Sequence, residues 1–290
     1  MPNDYEFSHY LAAKRTVDDR ALNRNVWSGL AGSLAKYPRT PAQPPSVLEV
    51  ACGIGTMVER VLEWGLFADS PAVHYTALDS LPANITAAAK RLHSPPQWFH
   101  LGFQTADVFE FCARPAEQAA YDLLIAHAFL DLLDIPQALP QLQRLLRPGG
   151  LFYFTINFDG ATILEPTIDA ELDARIESAY HHTMDARITD GRPSGDSRTG
   201  RHLFGHLAQA GFHVAAAGSS DWVVFPTAGR YPADEAYFLH FIVHTMHGAL
   251  CNDPAVEGEA FEQWIATRHA QIERGELIYI AHQVDFVGHV

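Results

Sequence analysis

The sequence predicts an α/β protein in which a mostly parallel sheet carries helices on both faces. Between residues 46 and 158, short apolar runs alternate with stretches of helical periodicity, and this alternation is typical of βαβ units. The first apolar run lies in the segment VLEVACGIGT, residues 47–56, and ends in a glycine-containing turn that leads into a helix. Both observations indicate an open sheet whose strands end at a shared ligand-binding edge.

The first 45 residues predict a helical segment in front of the sheet. Apolar side chains recur every fourth residue along it, and two aspartates stand where a helix N-cap is expected. The apolar positions are Leu22, Val26, Leu30 and Leu34, and the aspartates are Asp18 and Asp19. Because the segment PRTPAQPP at residues 38–45 ends this pattern, we expect residues 1–45 to form a helical lid on a core of residues 46–290.

Seven strands and seven further helices follow from the same periodicities. The strands are expected at residues 46–51, 73–79, 98–106, 121–127, 151–158, 213–225 and 277–286. The helices are expected at about residues 56–64, 82–92, 136–146, 168–184, 202–210, 233–250 and 258–274. Two segments, 159–200 and 233–274, interrupt the alternation after the fifth and sixth strands, where we expect them to cap the crevice.

Composition excludes several classes of function. The 290 residues carry a formal net charge of -14, from 20 Lys+Arg against 34 Asp+Glu, so the average surface repels a phosphate backbone. No apolar stretch reaches membrane-spanning length, and the start MPNDYEFSHY lacks the basic and apolar regions of a signal peptide. Cys52, Cys112 and Cys251 form no CxxC pair, which rules out a zinc ribbon. We therefore expect a soluble, cytoplasmic protein with neither a nucleic-acid nor a membrane partner.

The glycine turn predicts a nucleotide site, although its spacing disfavours a nicotinamide dinucleotide. The GxGxxG pattern that starts at Gly53 requires a glycine at position 58, which is Val58. Asp79 ends the second predicted strand, where a carboxylate can accept the hydroxyls of a ribose. Asp107 and Val108 follow the third strand, where a carboxylate and a backbone N–H can bind an adenine edge. A turn that binds nothing and two aspartate N-caps are the alternatives.

This ordered set of residues resembles the class I S-adenosylmethionine-dependent methyltransferases. Their first motif, acidic-x-Gly-x-Gly-x-Gly, falls on Glu49, Ala51, Gly53 and Gly55, with Ala51 in place of the first glycine. The resemblance covers roughly residues 46–225 and implies a Rossmann-like sheet of seven strands with the last one antiparallel. It implies S-adenosylmethionine as the cofactor, with the glycine turn at its methionine portion, Asp79 at the ribose, and Asp107 with Val108 at the adenine.

Methyl transfer from a sulfonium requires an acceptor held in line and protected from water. If that acceptor is a hydroxyl or a protonated amine, a general base is needed near the ends of the fourth and fifth strands, and His127 follows the fourth. A structural histidine is the alternative interpretation. Tyr10 and Arg20 are candidates to close over the cofactor, with Arg20 meeting its carboxylate, although a solvated arginine is also common.

One helix and several aromatic residues have open interpretations. Tyr237, His240, His244, His247 and Cys251 share a stripe that suits a metal site, a substrate wall or a packing seam between helices, and we predict no metal there. His181 and His182 on the inserted helix are either a second base or a solvated pair. Five aromatic residues predict an aromatic acceptor pocket or the core beneath the cap: Trp222, Phe225, Tyr231, Tyr237 and Phe238.

The sequence therefore predicts methyl transfer to an oxygen or nitrogen atom of a small molecule. A protein that binds S-adenosylmethionine without turnover is the first alternative. A nicotinamide-dependent oxidoreductase is the second, and it is disfavoured because residue 58 is not glycine and no YxxxK occurs in the chain. The acceptor and the oligomeric state do not follow from the sequence.

Overall fold

The computed structural model describes residues 2, 4–37, 43–189, 191–256 and 258–290. The strands, in chain order, are β1 (Ser46–Val50), β2 (Val73–Asp79), β3 (Phe99–Thr105), β4 (Tyr121–His127), β5 (Leu146–Glu165), β6 (Ile188–Thr189), β7 (Arg192–Pro193), β8 (His213–Ser219), β9 (Trp222–Val224) and β10 (Ile278–His289). The helices before β5 are α1 (Phe7–Ala13), α2 (Arg15–Ala21), α3 (Arg24–Lys36), α4 (Thr56–Glu63), α5 (Pro82–Arg91), α6 (Val108–Cys112) and α7 (Ile135–Leu145). The helices after β5 are α8 (Ala170–Asp185), α9 (Thr199–Gln209), α10 (Glu235–Leu250) and α11 (Gly258–Glu273).

One sheet contains eight of these strands. Its order is β3-β2-β1-β4-β5-β10-β8, and β9 pairs with β10 beside this path. The first five strands are parallel to their neighbours, whereas β10 is antiparallel to β5, β8 and β9. The predicted α/β sheet with an antiparallel last strand is confirmed. The predicted strand at 213–225 divides into β8 and β9, because the chain leaves the ladder at Ser220, whose N–H donates to the carbonyl of Gln283 at 2.9 Å.

The central strands β1, β4 and β5 contribute side chains to two cores, one on each face of the sheet. Successive strand residues point to opposite faces, so that Leu123 joins one core and Leu124 the other. The first core packs α3, α4 and α10 against the sheet, and the second packs α6, α7 and α9. Because both faces are covered, ligand access is left at the carboxyl ends of the strands, where the order reverses between β1 and β4.

The turn between β1 and α4 takes left-handed backbone at three alternate positions. The φ angles are 53° at Ala51, 54° at Gly53 and 82° at Gly55. A Cβ at Gly55 would lie 2.6 Å from a methyl group of Leu92, so this position requires glycine. Ala51 adopts the conformation that its missing glycine would favour, and the strain of order 1–2 kcal/mol is borne by the fold.

The N-terminal segment forms three helices rather than one. Asp18 and Asp19 lie inside α2, not at a helix start, which corrects their predicted role as N-caps. The cap of the following helix is Asn23, whose side chain accepts hydrogen bonds from the backbone N–H groups of Asn25 and Val26. Asp and Asn both favour the N-cap position of a helix, so their presence in the sequence does not show which of them caps it.

Two other boundaries differ from prediction. The expected strand at 151–158 extends in β5 from Leu146 to Glu165, because its second half pairs with residues Ile278 to Ala281 of β10. The segment expected to form an insertion from residue 159 therefore leaves the sheet only after Glu165. Among the described residues, no helix is long and apolar enough to cross a membrane.

Candidate active site

A continuous crevice runs along the carboxyl ends of β1 to β4. It consists of two cavities, a β3-side cavity of about 570 Å³ and an α1-side cavity of about 460 Å³. Five residues line both cavities and so form the passage between them: Ala51, Asp79, Ser80, Phe129 and Leu132. The glycine turn and the carboxylate at the end of β2 therefore lie in the middle of one elongated site.

The β3-side cavity is a slot beside α6. Asp107 and Val108 both line it, together with Ala106 and Phe109. Oδ1 of Asp107 accepts hydrogen bonds from the backbone N–H groups of Phe109 and Glu110, at 2.7 and 3.2 Å, so Asp107 is also the N-cap of α6. The capping bonds use only Oδ1, so Oδ2 has no hydrogen-bond partner among the described residues.

Asp79 lies in the middle of the crevice and accepts three hydrogen bonds from residues around it. Oδ2 accepts the N–H of Gly53 at 2.8 Å, and Oδ1 accepts the N–H of Leu81 at 2.9 Å and Nδ2 of Asn84 at 3.1 Å. A carboxylate offers about four acceptor positions, and three of them are occupied. The expected pair of bonds to a ribose is thereby reduced to one free position, and Asp79 also holds the glycine turn.

Glu49 lies beneath the glycine turn and lines the α1-side cavity. Its side chain is buried, and Oε2 accepts the hydroxyl proton of Tyr75 at 2.6 Å. Burial raises the pKa of the Glu49 carboxyl to about 8, against the smaller opposing effects of that hydrogen bond and of Arg60. Burial therefore favours the neutral form of the Glu49 carboxyl.

The α1-side cavity has aromatic walls that come from four different segments. Tyr10 is on α1, Tyr180 on α8, Trp222 on β9 and Tyr279 on β10. Of the five aromatic residues predicted for this pocket, only Trp222 lines it. The others lie elsewhere: Phe225 is exposed, Tyr231 bonds the carbonyl of Leu277, Tyr237 bonds the N-terminal segment, and Phe238 is in the core.

Buried charges behind this cavity connect the N-terminal helices to the sheet. The carboxylate of Asp18 is fully buried, with Oδ2 3.0 Å from Nζ of Lys14 and 3.5 Å from Nη2 of Arg60. Oδ1 accepts the indole N–H of Trp222 at 2.9 Å. Lys14, His127 and Arg60 together hold the pKa of Asp18 well below its usual range, although burial alone would raise it.

His127 is part of this network. Its Nε2 lies 3.0 Å from Oδ2 of Asp18 and its Nδ1 lies 2.8 Å from Oγ1 of Thr155. Because ionised Asp18 can only accept, Nε2 carries the proton and Nδ1 accepts from the threonine hydroxyl. Both ring nitrogens of His127 thus have protein partners, which favours the interpretation of His127 as a structural histidine. The role of His127 as a general base stays a prediction.

Protein stability between pH 7 and pH 5 should report the burial of His127. Burial lowers the pKa of its imidazole from 6.5 to about 4, so in this range the unfolded chain binds a proton that the folded protein does not. The free energy of unfolding therefore falls as the pH drops, by about 2 kcal/mol between pH 7 and pH 5 for this group.

Urea denaturation at both pH values should show that His127→Gln removes this part of the pH dependence. The exposed His93→Gln should retain it, and an equal pH dependence in wild type and His127→Gln would contradict the expectation.

Arg20 does not reach the crevice, which corrects its predicted contact with the cofactor carboxylate. Its guanidinium binds both carboxylate oxygens of Glu235, a fully buried residue at the start of α10. A buried carboxylate requires such a partner, and Arg20 supplies it from α2. Lys14, six residues earlier in the chain, lines the cavity instead.

The predicted stripe on α10 is mostly an interface between helices. Nδ1 of His240 lies 2.8 Å from Nδ1 of His269 on α11, and Nε2 of His247 lies 2.7 Å from Oε1 of Glu262. Within the described ranges, no group of three or more His, Cys, Asp and Glu residues is arranged to hold a metal ion. On the inserted helix, His181 contacts Thr162 of the cavity wall at 3.0 Å, whereas His182 is exposed.

Comparison with known proteins agrees with this architecture. A family profile described as a methyltransferase domain matches residues 48–152. A probable phthiotriol/phenolphthiotriol dimycocerosates methyltransferase 2 of Mycobacterium ulcerans is 30% identical over 201 residues, which span 62% of this chain and 69% of that protein. The chain belongs to the class I S-adenosylmethionine-dependent methyltransferases.

The methyltransferase has other relatives that match over shorter segments. A malonyl-[acyl-carrier protein] O-methyltransferase of Paenibacillus sp. is 36% identical over 151 residues, which are 50% of this chain and 51% of that protein. The chain thus spans about half the length of this relative. Among solved structures, an N-methyltransferase of Haemonchus contortus in complex with S-adenosylhomocysteine aligns with a TM-score of 0.48 and 11% identity, covering 99% of this chain and 59% of that one.

The cofactor of this family is S-adenosylmethionine, and the residues of the crevice fit it. The β3-side cavity offers Asp107 and Val108 at a slot, and the passage offers Asp79. Gly53 of the glycine turn lines the α1-side cavity, as does Thr56, the first residue of α4, and a helix N-terminus suits the negative end of a ligand. The two cavities together match an elongated molecule that ends at the aromatic walls.

Sequence reasoning did not identify Lys14, Asp18 and Arg60 as parts of this site. Lys14 and Asp18 are four residues apart, which is a signal of an ion pair on one helix turn. That spacing is equally typical of exposed pairs, so the sequence does not show that this pair is buried behind the active site.

Proposed function

We propose that this methyltransferase transfers the methyl group of S-adenosylmethionine to an oxygen or nitrogen atom of a small molecule by in-line displacement. The observation that carries the proposal is the junction of the two cavities at Ala51 and Asp79, because it joins the cavity lined by Asp107 and Val108 to a separate cavity with aromatic walls. An O-methyltransferase among the relatives favours an oxygen acceptor.

The proposed cofactor contacts follow the crevice from one end to the other. Asp107 and Val108 bind the adenine, Asp79 accepts one ribose hydroxyl, and the turn from Ala51 to Gly55 lies along the methionine portion. Glu49 supports that turn from below, and its buried carboxyl favours a cationic group nearby. The sulfonium methyl is thereby directed into the α1-side cavity.

The cap segments then exclude water from the acceptor. We assign the lid to residues 1–45 and the caps to 166–200 and 233–274, since Tyr10, Tyr180 and Phe241 come from these three segments and line the same cavity. Water exclusion and alignment of the acceptor account for most of the rate that such a site can supply. His127 remains the predicted base for a hydroxyl acceptor, and it must release Thr155 before Nδ1 can take a proton.

Calorimetric titration with S-adenosylhomocysteine, S-adenosylmethionine, NAD and NADP tests the proposal first. We expect the two sulfur nucleotides to bind with micromolar dissociation constants and the nicotinamide nucleotides not to bind. Transfer of label from methyl-tritiated S-adenosylmethionine to a set of hydroxylated, amino and carboxylic compounds tests turnover. Binding without transfer to any compound favours the non-catalytic alternative, and binding of NAD or NADP alone would contradict the proposal.

A further inference from the structure

The inserted segment brings one arginine to the wall of the α1-side cavity. Arg187 follows the end of α8 and lines the cavity beside Met184 and Tyr180. Its backbone is held twice, by its own N–H donating to the carbonyl of Met184 at 3.2 Å and by the N–H of Ser194 donating to its carbonyl at 2.9 Å. The base of this side chain therefore has a fixed position at the cavity.

Arg187 is the exception among the arginines that the structure describes as partly or fully buried. In the others, the guanidinium donates to a side-chain oxygen of the protein: Arg15, Arg60, Arg114, Arg147 and Arg268. The guanidinium of Arg187 has no carboxylate oxygen within 4 Å among the described residues. A partly desolvated guanidinium without a partner is costly, and an anionic ligand would remove this cost.

Three tyrosine hydroxyls add hydrogen-bond donors to the cavity that Arg187 lines. The hydroxyls of Tyr10, Tyr180 and Tyr279 line the cavity without a hydrogen-bond partner among the described residues. Burial raises the pKa of Tyr180 to about 12 despite the charge of Arg187, so its hydroxyl remains a donor. These hydroxyls can therefore donate to a ligand that supplies acceptor atoms, as the guanidinium of Arg187 can.

Besides Glu49 and Asp79 at the glycine turn, Asp131 and Asp196 are the carboxyl groups that line this cavity among the described residues. Asp196 is engaged elsewhere, since its carboxylate accepts the N–H of Arg198 at 2.8 Å and lies 2.5 Å from Nδ1 of His202. Asp131 is the other carboxyl group to consider. Burial raises its pKa to about 6, and Arg187 opposes this effect. A second anion close by would favour the protonated form of Asp131 further, so the carboxyl would donate to the ligand and not repel it. Asp131 is thus compatible with an anionic ligand at Arg187.

We propose that the methyl acceptor is an organic acid whose carboxylate binds the guanidinium of Arg187 next to the hydroxyl of Tyr180. The planar guanidinium matches a carboxylate through two parallel N–H···O bonds. Phe158, Met184 and Trp222 provide apolar walls for the remainder of the molecule. This inference rests on the proposed function, since it specifies the acceptor of the same site.

Calorimetry with two matched probes tests the inference. 3-Phenylpropanoate carries the carboxylate on a short aromatic body, and 3-phenylpropanamide has nearly the same shape without the charge. Each probe is titrated into the wild type, Arg187→Gln and Arg175→Gln, with and without saturating S-adenosylhomocysteine. Arg175 is the control, because it is exposed on the same inserted helix α8.

We expect the wild type and Arg175→Gln to bind the acid at least tenfold more tightly than the amide, which is about 1.4 kcal/mol. Arg187→Gln should lose this preference while its affinity for S-adenosylhomocysteine and its melting temperature stay unchanged. Equal affinities for acid and amide in the wild type, or a preference that survives in Arg187→Gln, would overturn the inference. If S-adenosylhomocysteine does not bind the wild type, the proposed function is wrong. The titrations of acid and amide without S-adenosylhomocysteine still test the role of Arg187 in that case, so the two failures can be told apart.

Discussion

Asp79→Ala should weaken the binding of S-adenosylhomocysteine at least tenfold, about 1.4 kcal/mol or more. The substitution removes the acceptor that is free for a ribose hydroxyl. It also releases the N–H of Gly53, 2.8 Å from Oδ2, and leaves the buried amide of Asn84 without its partner. Because the glycine turn and the ribose contact depend on one side chain, both losses fall on the cofactor. Isothermal titration of the folded variant measures the effect.

Asp69→Ala is the matched control, since Asp69 is an exposed aspartate outside the crevice. Its affinity for S-adenosylhomocysteine should equal that of the wild type. Asp79→Asn retains one side-chain oxygen as an acceptor, and its affinity should fall between those of the wild type and Asp79→Ala. A folded Asp79→Ala protein that binds within twofold of the wild type would refute the assignment of Asp79 to the cofactor.

Asp18→Ala should lower the free energy of unfolding by about 3–5 kcal/mol, because it leaves buried cations without their counter-charge. Lys14 and Arg60 are 5% and 0% exposed, and both lie within 3.5 Å of the Asp18 carboxylate. The indole N–H of Trp222 and Nε2 of His127 would lose their acceptor as well. Urea denaturation at pH 7, followed by tryptophan fluorescence, measures the change.

Asp18→Asn provides a second measurement if the alanine variant does not fold, and it should be destabilised by a smaller amount because its one side-chain oxygen keeps part of the hydrogen bonds. The exposed Asp69→Ala should be within about 0.5 kcal/mol of the wild type. The pKa of Asp18 is held well below its usual range, so its contribution is present above its ordinary value of 3.8 and is lost as the pH falls below it. A loss below 1 kcal/mol in Asp18→Ala would mean that the buried cations find other partners.

The parallel strands and the acids at their ends could be predicted because each depends on a short stretch of chain. The run VLEV forms β1, and the turn after it contains the glycines that its left-handed backbone requires. Chain order alone then places Asp79 and Asp107 at the same edge, since parallel strands all end on one side of the sheet. Chain order does not predict the hydrogen bonds that these carboxylates make within the protein. The structure shows that Asp79 and Asp107 both accept backbone N–H groups.

The residues that line the α1-side cavity could not be predicted from short stretches of chain. Phe225 and Tyr180 have similar sequence signals, yet Phe225 is exposed and Tyr180 lines the cavity. Periodicity determines which residues share a helix face, but the neighbour of that face depends on where distant segments pack. Arg20 and Lys14 show this directly, because one pairs with Glu235 of α10 and the other faces the cavity.

The sequence by itself determined the sheet, the turn and the order in which Glu49, Asp79 and Asp107 follow along the crevice, because these depend on local periodicity and on the connectivity of parallel strands. Only the tertiary structure decided that Asp18 is a buried centre of charge, that His127 has both nitrogens engaged, and that Arg187 lines the cavity with no carboxylate partner among the described residues. In each of these cases the decisive contacts join residues far apart in the chain, and a charged side chain in a helix has the same sequence signal whether water or another charge surrounds it.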